Sequence, residues 1–104
     1  MKFDSYFGRT IYENAEDFPL RDVDIIEDDG NALNIFFKPE EFEDEPGKEL
    51  RTGIILMYDN DRKITHVESV AHIFRTAGGR PEEADPEMCE DEELIDETIR
   101  RITE

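Results

Sequence analysis

Two stretches of the chain have the hydrophobic pattern of two β-strands joined by a turn, and each predicts a β-hairpin. In the first, residues 23–26 lead into a turn at residues 28–31, and residues 33–37 lead out of it. The Asp29-Gly30 step supplies the positive φ that tight hairpin turns require. On the outgoing strand, Phe36 lies on one face, and three apolar residues alternate onto the other: Leu33, Ile35 and Phe37.

The second hairpin begins with an apolar strand. Residues 52–58 are apolar on both faces, which predicts a central strand that is covered on both sides. Residues 59–62 turn the chain, and residues 63–70 return with alternating polarity.

The returning segment has a second interpretation, a helix. Thr65 and Glu68 have the spacing of a capping box, and apolar residues then recur at helical intervals towards the glycine pair at residues 78–79. The turn chemistry and the β-branched residues favour a strand to about Val70. A short helical turn that holds Phe74 is expected to follow.

The last element is predicted to be an amphipathic helix. Asp85 is placed to cap it, and Pro86 suits the first helical position. Acidic residues in the first turns and basic residues in the last turn match the helix macrodipole. The stripe expected to be buried consists of Met88, Leu94, Ile95, Ile99 and Ile102.

The remaining segments are assigned from turn residues and alternation. Residues 38–47 contain two prolines and a glycine around five acids, which predicts a surface loop, with a helical turn considered from Pro39. Residues 6–12 are considered as a further strand. The predicted fold is one α+β domain over residues 1–104. It has an antiparallel sheet of four to five strands built from two hairpins, with the C-terminal helix packed on one face.

The net charge of −17 on 104 residues excludes some classes of binding partner. Phosphates would be repelled, so nonspecific binding to nucleic acid or to an anionic membrane is excluded. A saline habitat would also give an acidic composition. The single Cys89, the absence of an apolar region near the N-terminus and the absence of a membrane-spanning run predict a cytoplasmic protein.

The acidic residues are concentrated in blocks. Residues 40–49 contain six acids and one base, residues 82–97 contain ten acids and no base, and residues 62–80 are locally positive. Such runs are often solvated surface, but this excess also favours a surface that binds a basic partner. The predicted partner-binding residues are Glu40, Glu41, Phe42, Glu43, Asp44, Glu45, Glu82, Glu83, Asp85 and Glu87.

Within this set the loop at residues 40–45 is favoured, because part of the second block has a structural role at the start of the helix. Phe42 has two interpretations. Its ring is either an exposed apolar anchor for the partner or folded back to the core.

Catalytic and metal-binding patterns are not found. Asp59 and Asp61 open a sequence like a calcium loop, but Ile64 and Val70 stand where that loop needs glycine and glutamate. His66, His72 and Cys89 lack the spacing of a zinc site, and the acids that follow Cys89 oppose thiolate formation. The sequence therefore predicts no catalytic residue, no metal site and no cofactor.

Two resemblances bear on function. Residues 29–35 and 53–68 resemble the two hairpins of a family of small uncharacterised bacterial proteins, which implies topology alone. The size, the acidity, the opening residues 3–8 and the segment 67–74 are similar to the immunity proteins of bacterial contact-dependent growth inhibition, the CdiI type. That resemblance implies a protein that binds and neutralises the toxic C-terminal domain, often a nuclease, of a delivered effector. It assigns no residue.

The leading hypothesis is a non-enzymatic immunity protein that binds a cognate basic toxin domain. Alternatives are a nucleic-acid mimic that regulates a DNA-binding protein, a small enzyme that uses acids or Cys89, and an acidic domain whose charge reflects its habitat. Nucleic acid and membranes are not expected as partners, and the oligomeric state stays open.

Overall fold

The fold is described from a computed structural model that covers residues 3–20, 22–85 and 91–103. Two short 3₁₀-helices, six strands and one α-helix occur among these residues. In chain order they are the 3₁₀-helices Asp4–Tyr6 and Ala15–Asp17, β1 Val23–Asp28, β2 Ala32–Phe37, β3 Glu40–Glu41, β4 Lys48–Tyr58, β5 Ile64–Arg75, β6 Glu82–Glu83 and α1 Glu92–Ile102.

The first hairpin, β1 and β2, is confirmed. Gly30 has a φ of 92°, and the preceding aspartates fix the turn by accepting backbone N–H bonds. Oδ1 of Asp28 accepts from Gly30, and Oδ1 of Asp29 accepts from the two residues that follow the glycine. Alternation places one face of β2 in the core, with Leu33, Ile35 and Phe37 buried.

The second hairpin is longer than predicted. β4 and β5 pair in antiparallel register over eleven residue pairs, from Tyr58↔Ile64 to Lys48↔Arg75. The returning segment is therefore a strand and not a helix. The short helical turn predicted around Phe74 is wrong, because Phe74 continues the ladder opposite Glu49. Regular pairing satisfies the backbone groups that a helical turn would otherwise have to satisfy.

β4 is a central strand, as predicted, but only one of its faces is covered. Ile54 and Leu56 are fully buried, whereas Met57 on the opposite face is 41% exposed. The covered face lies under α1, and its buried residues form one core with those of β2, β5 and the helix. The opposite face, which carries Phe36, Arg51, Met57, His72 and Phe74, is named the open face.

Within the described residues, the six strands form one antiparallel sheet with the order β1-β2-β4-β5-β6. β3 lies beside β4 in line with β2, because β2 pairs with residues 53–57 of β4 and β3 with residues 49–50. The predicted α+β fold, an antiparallel sheet with the C-terminal helix packed on it, is confirmed.

Two segments beside the hairpins differ from the predictions. Glu40 and Glu41 form β3, so the helical turn considered from Pro39 is wrong. The strand considered over residues 6–12 is also wrong. That segment makes only isolated bridges, Thr10↔Lys63 and Ile11↔Thr103, because it passes between the hairpin turn and the end of α1.

The C-terminal helix is confirmed, but it begins later than predicted. Asp91, and not Asp85, is the N-cap, and its carboxylate accepts the N–H of Leu94 at 3.0 Å. Pro86, Glu87 and Met88 lie outside the described residues. The buried stripe contains the predicted Ile95, Ile99 and Ile102, with Leu94 partly buried, and it also contains Thr98. No helix in the described ranges has the length and apolar character needed to cross a membrane.

Candidate protein-binding surface

The two acidic segments, residues 40–45 and 82–85, lie at one end of the molecule. They flank the ends of β4 and β5 that are remote from the turn between these strands. Glu40 of β3 pairs with Leu50 of β4, and Glu82 of β6 pairs with Ile73 of β5. Leu50 and Ile73 are paired with each other across the hairpin. The two acidic strands therefore flank the same ribbon, one on each side. The region is named the acidic end and comprises residues 40–45, 48–50, 73–75 and 82–85.

Arg75 lies between the two acidic segments and contacts both. Its Nη1 is 3.8 Å from Oε2 of Glu45, and its Nε is 3.7 Å from Oε1 of Glu82. Lys48 also reaches Oε2 of Glu45, at 3.2 Å. The Arg75, Glu45 and Glu82 side chains are 46–58% exposed, so each of these pairs contributes at most about 1 kcal/mol. Arg75 links the segments without neutralising them.

Five carboxylates of the acidic end make no salt bridge with the described residues: Glu40, Glu41, Glu43, Asp44 and Glu83. All five are exposed. Like charges held close together on a fixed backbone repel one another, and a basic partner would relieve that repulsion. Of the other predicted binding residues, Asp85 is also exposed, whereas Glu87 lies outside the described residues.

Phe42 is not the exposed anchor that one interpretation predicted. Its side chain is partly buried, and the ammonium of Lys48 lies 4.7 Å from the ring centroid. Its backbone N–H donates to the carbonyl of Lys48 at 3.0 Å. The ring therefore folds back onto β4. It joins the acidic loop to the ribbon, while the carboxylates around it stay in solvent.

The basic residues between positions 62 and 80 do not form one positive surface. Arg62 and Lys63 lie at the hairpin turn, whereas Arg75 lies at the acidic end. The twelve residues of β5 separate them by roughly 40 Å at about 3.3 Å per residue. The sequence pattern was positive along the chain, but an extended strand distributes that charge over the whole molecule.

The most connected polar cluster lies at the opposite end, around Arg62. This residue has a φ of 60°, in the left-handed region that side chains disfavour. Its guanidinium donates to Oδ2 of Asp28 at 3.0 Å and to the carbonyls of Ile11 and Tyr12 at 3.1 and 2.8 Å. It also lies 4.8 Å from the centroid of the Tyr58 ring. These contacts fasten the N-terminal segment to both hairpins.

Burial and hydrogen bonds shift the pKa values of two groups in this cluster, Asp28 and Tyr58. Burial acts to raise the pKa of Asp28, but hydrogen bonds from the Tyr58 hydroxyl, the Gly30 amide and Arg62 outweigh it, so the pKa lies below its usual value. Burial, and then the bond to Asp28, raises the pKa of Tyr58. A general acid at neutral pH needs a carboxyl pKa that is raised. The folded chain therefore favours the ionised carboxylate of Asp28, which is not the protonation state of a general acid.

The histidines considered as ligands are not brought together. His66 and His72 lie on the same strand six positions apart, and Nε2 of His66 is 3.8 Å from Glu68. Cys89 lies outside the described residues. Within the described ranges, no group of three or more His, Cys, Asp or Glu side chains is arranged to hold a metal ion.

Sequence reasoning missed a groove on the open face, which lies between Phe36 and Phe74 and includes Arg51. A signal was present. Arg51 directly precedes the apolar residues 52–58, and one helix can cover only one face of such a strand, so the other face is left open. Comparison with protein-family models, with curated proteins and with solved structures finds no match to this chain.

Proposed function

We propose that the protein is a non-enzymatic inhibitor that binds a basic protein partner through the acidic end. The observation that carries this proposal is the convergence of two acidic segments, distant in sequence, on one four-stranded ribbon. In the form suggested by the resemblance to immunity proteins, the partner is the toxic nuclease domain of a bacterial effector, and the encounter takes place in the cytoplasm.

The chemistry of such a partner fits the surface. A domain that cleaves nucleic acid holds phosphates with Arg and Lys side chains, so its active cleft is positively charged. Carboxylates fixed along β3 and β6 can pair with those cations and exclude the substrate. The repulsion among unpaired carboxylates makes the free protein less stable and favours the complex. Long-range attraction would also accelerate encounter, to roughly 10⁸–10⁹ M⁻¹s⁻¹ at low salt.

The experiment is a binding measurement between the chain and the product of the adjacent upstream gene. The test variant is Glu43→Lys with Asp44→Lys, at the acidic end. The matched control is Glu13→Lys with Glu16→Lys, which changes the net charge equally at exposed positions outside the acidic end. We expect the test variant to lose at least about tenfold in affinity at low salt and the control to lose much less.

Three results would overturn the proposal. Equal losses in both variants would assign binding to bulk charge. If the adjacent gene product is not basic and does not bind the chain, the protein is not an inhibitor of that product. Binding to many unrelated DNA-binding proteins, with a steep salt dependence, would assign a nucleic-acid mimic instead.

A further inference from the structure

The open face carries a groove that is lined by residues of β1, β2, β4, β5 and β6. Ile25, Phe36, Phe74 and Pro81 supply apolar walls, and Arg51 and Arg80 supply cations. The groove has a volume of about 530 Å³. Sites for small molecules typically measure about 300–1,000 Å³ and combine apolar walls with a few polar groups. The groove adjoins the acidic end, because Phe74 belongs to both, Glu83 borders the groove and Glu49 lies 3.8 Å from Arg51.

Gly53 explains the floor of the groove. A Cβ at this position would clash with the backbone carbonyl oxygen of Ile35 and lie 2.9 Å from Cδ1 of Phe36, so the β2 backbone and the Phe36 ring together occupy the space that a side chain on β4 would fill. The ring therefore lies against the sheet beside Gly53. Ile25 on β1 is paired with Phe36 and remains 37% exposed. This part of the sheet offers a flat apolar surface.

Arg51 has hydrogen-bonding capacity that the described residues do not satisfy. Its Nε is buried without a hydrogen-bond partner. Its terminal nitrogens form ion pairs with Asp24 and Glu49 at 3.9 and 3.8 Å, distances too long for hydrogen bonds. The guanidinium lies 5.0 Å from the centroid of the Phe74 ring. The guanidinium is therefore held by a cation–π contact, and its terminal N–H groups keep hydrogen-bonding capacity.

Arg80 adds a second cation at the edge of the groove. It is exposed and makes no salt bridge or hydrogen bond with the described part of the chain. The groove is thus lined by two guanidinium groups and one carboxylate, Glu83, beside aromatic walls, on a protein whose net charge is −17. Asp24 and Glu49 lie within 4 Å of Arg51 and partly offset its charge. Guanidinium donors match the geometry of a carboxylate, and flat rings stack on aromatic walls.

We propose that this groove binds a small aromatic carboxylate. A cationic ligand would meet two arginines, and a second copy of the chain would bring a further −17 of charge against the same face. A fully solvated phosphate would leave the apolar walls unused. The carboxylate of Glu83, on one side of the groove, would repel the carboxylate of the ligand. The ligand's carboxylate therefore lies towards Arg51 and Arg80.

The test uses the ¹⁵N-labelled full chain and three ligands of the same shape. These are 1-naphthoate, the neutral 1-naphthalenemethanol and the cationic 1-naphthylmethylammonium. Amide shifts are followed by NMR during each titration. We expect saturable shifts at Phe36, Arg51 and Phe74 with naphthoate, with a Kd on the order of 1 mM or tighter. We expect at least about tenfold weaker binding of the ammonium, although the total charge of the protein favours cations.

Charge reversal supplies the matched control. Arg80→Glu should weaken naphthoate binding by about tenfold or more, whereas Lys63→Glu, an equal charge change at the hairpin turn, should leave it within about twofold. Glu83→Gln should tighten it. The proposal is overturned if the ammonium binds the groove as well as naphthoate does, if the shifts lie elsewhere, if Arg80→Glu and Lys63→Glu act alike, or if naphthoate only promotes dimer formation. None of these measurements requires the protein partner, so failure here leaves the inhibitor proposal standing.

Discussion

Tyr6 joins the N-terminal segment to the helix, and its ionisation connects that contact to pH. The hydroxyl donates to Oδ1 of Asp96 at 2.6 Å. Burial, and then the bond to Asp96, raises the pKa of Tyr6 to about 12. Hydrogen bonds from Tyr6 and then from Arg100 lower the pKa of Asp96. The folded chain therefore favours the neutral phenol and the ionised carboxylate.

Stability should consequently fall at alkaline pH. The contribution of Tyr6 is fully present below the unfolded pKa of about 10 and is lost as the pH rises to about 12. The contribution of Asp96 to stability has the opposite pH dependence. It is present above the ordinary pKa of an aspartate and is lost as the pH falls through the lowered pKa of Asp96. Tyr6→Phe keeps the ring and cannot ionise. Urea unfolding between about pH 9 and 12 should show a shallower decline for this variant than for the natural chain. Parallel declines would contradict the assignment.

At the scale of elements, the position of the helix start has a direct test. Asp91→Ala removes the acceptor for the Leu94 amide and should lower the free energy of unfolding by about 1 kcal/mol. Asp91→Ser keeps a capping oxygen and should lose much less. Both variants can be compared by urea unfolding followed by circular dichroism. If serine and alanine destabilise equally, the N-cap lies elsewhere.

The hairpins could be predicted because their determinants are local. The Asp29-Gly30 turn and the alternation on β2 are each contained within a few residues. The helix stripe was predicted for the same reason, but its start was not, because several acids precede it and any of them has the chemistry of a cap. Two-residue strands such as β3 and β6 are too short to show a period, so no pattern could reveal them.

The acidic end could be predicted only in part. Its residues were identified from charge, but their convergence depends on the register that places Lys48 opposite Arg75. That register extends across the whole hairpin and is set by packing of the covered face. The groove on the open face depends in addition on Gly53, whose missing side chain makes room for the backbone of β2 and for the ring of Phe36.

At the scale of the whole molecule, the chain is elongated, with principal extents of 43 × 27 × 23 Å and a radius of gyration of 14.2 Å. A compact chain of this length would have a radius of gyration of about 13 Å. The excess comes from the ribbon of β4 and β5, which extends beyond the strands that pair with the helix-covered core. An extended shape also separates like charges, which reduces their mutual repulsion.

Salt should therefore stabilise the protein. Raising NaCl from about 0.02 to 0.5 M shortens the screening length from roughly 20 to 4 Å, and we expect Tm to rise by several degrees. Glu43→Lys with Asp44→Lys should have the higher Tm at low salt, and the difference should shrink at high salt. Calorimetry measures both effects. A Tm that is independent of salt would show that the carboxylates do not repel appreciably in the folded chain.

Apart from the ends of β4 and β5, the acidic end consists of short strands and connections, and none of residues 40–45 or 82–85 belongs to the buried core. Substitutions there alter charge without changing the packing that holds the sheet and helix together. Under the proposed function, partner recognition and folding would therefore be encoded by different positions of the same chain. Such a division would allow the binding specificity to change while the packing of the sheet and helix is kept, so related chains are expected to differ most at this end.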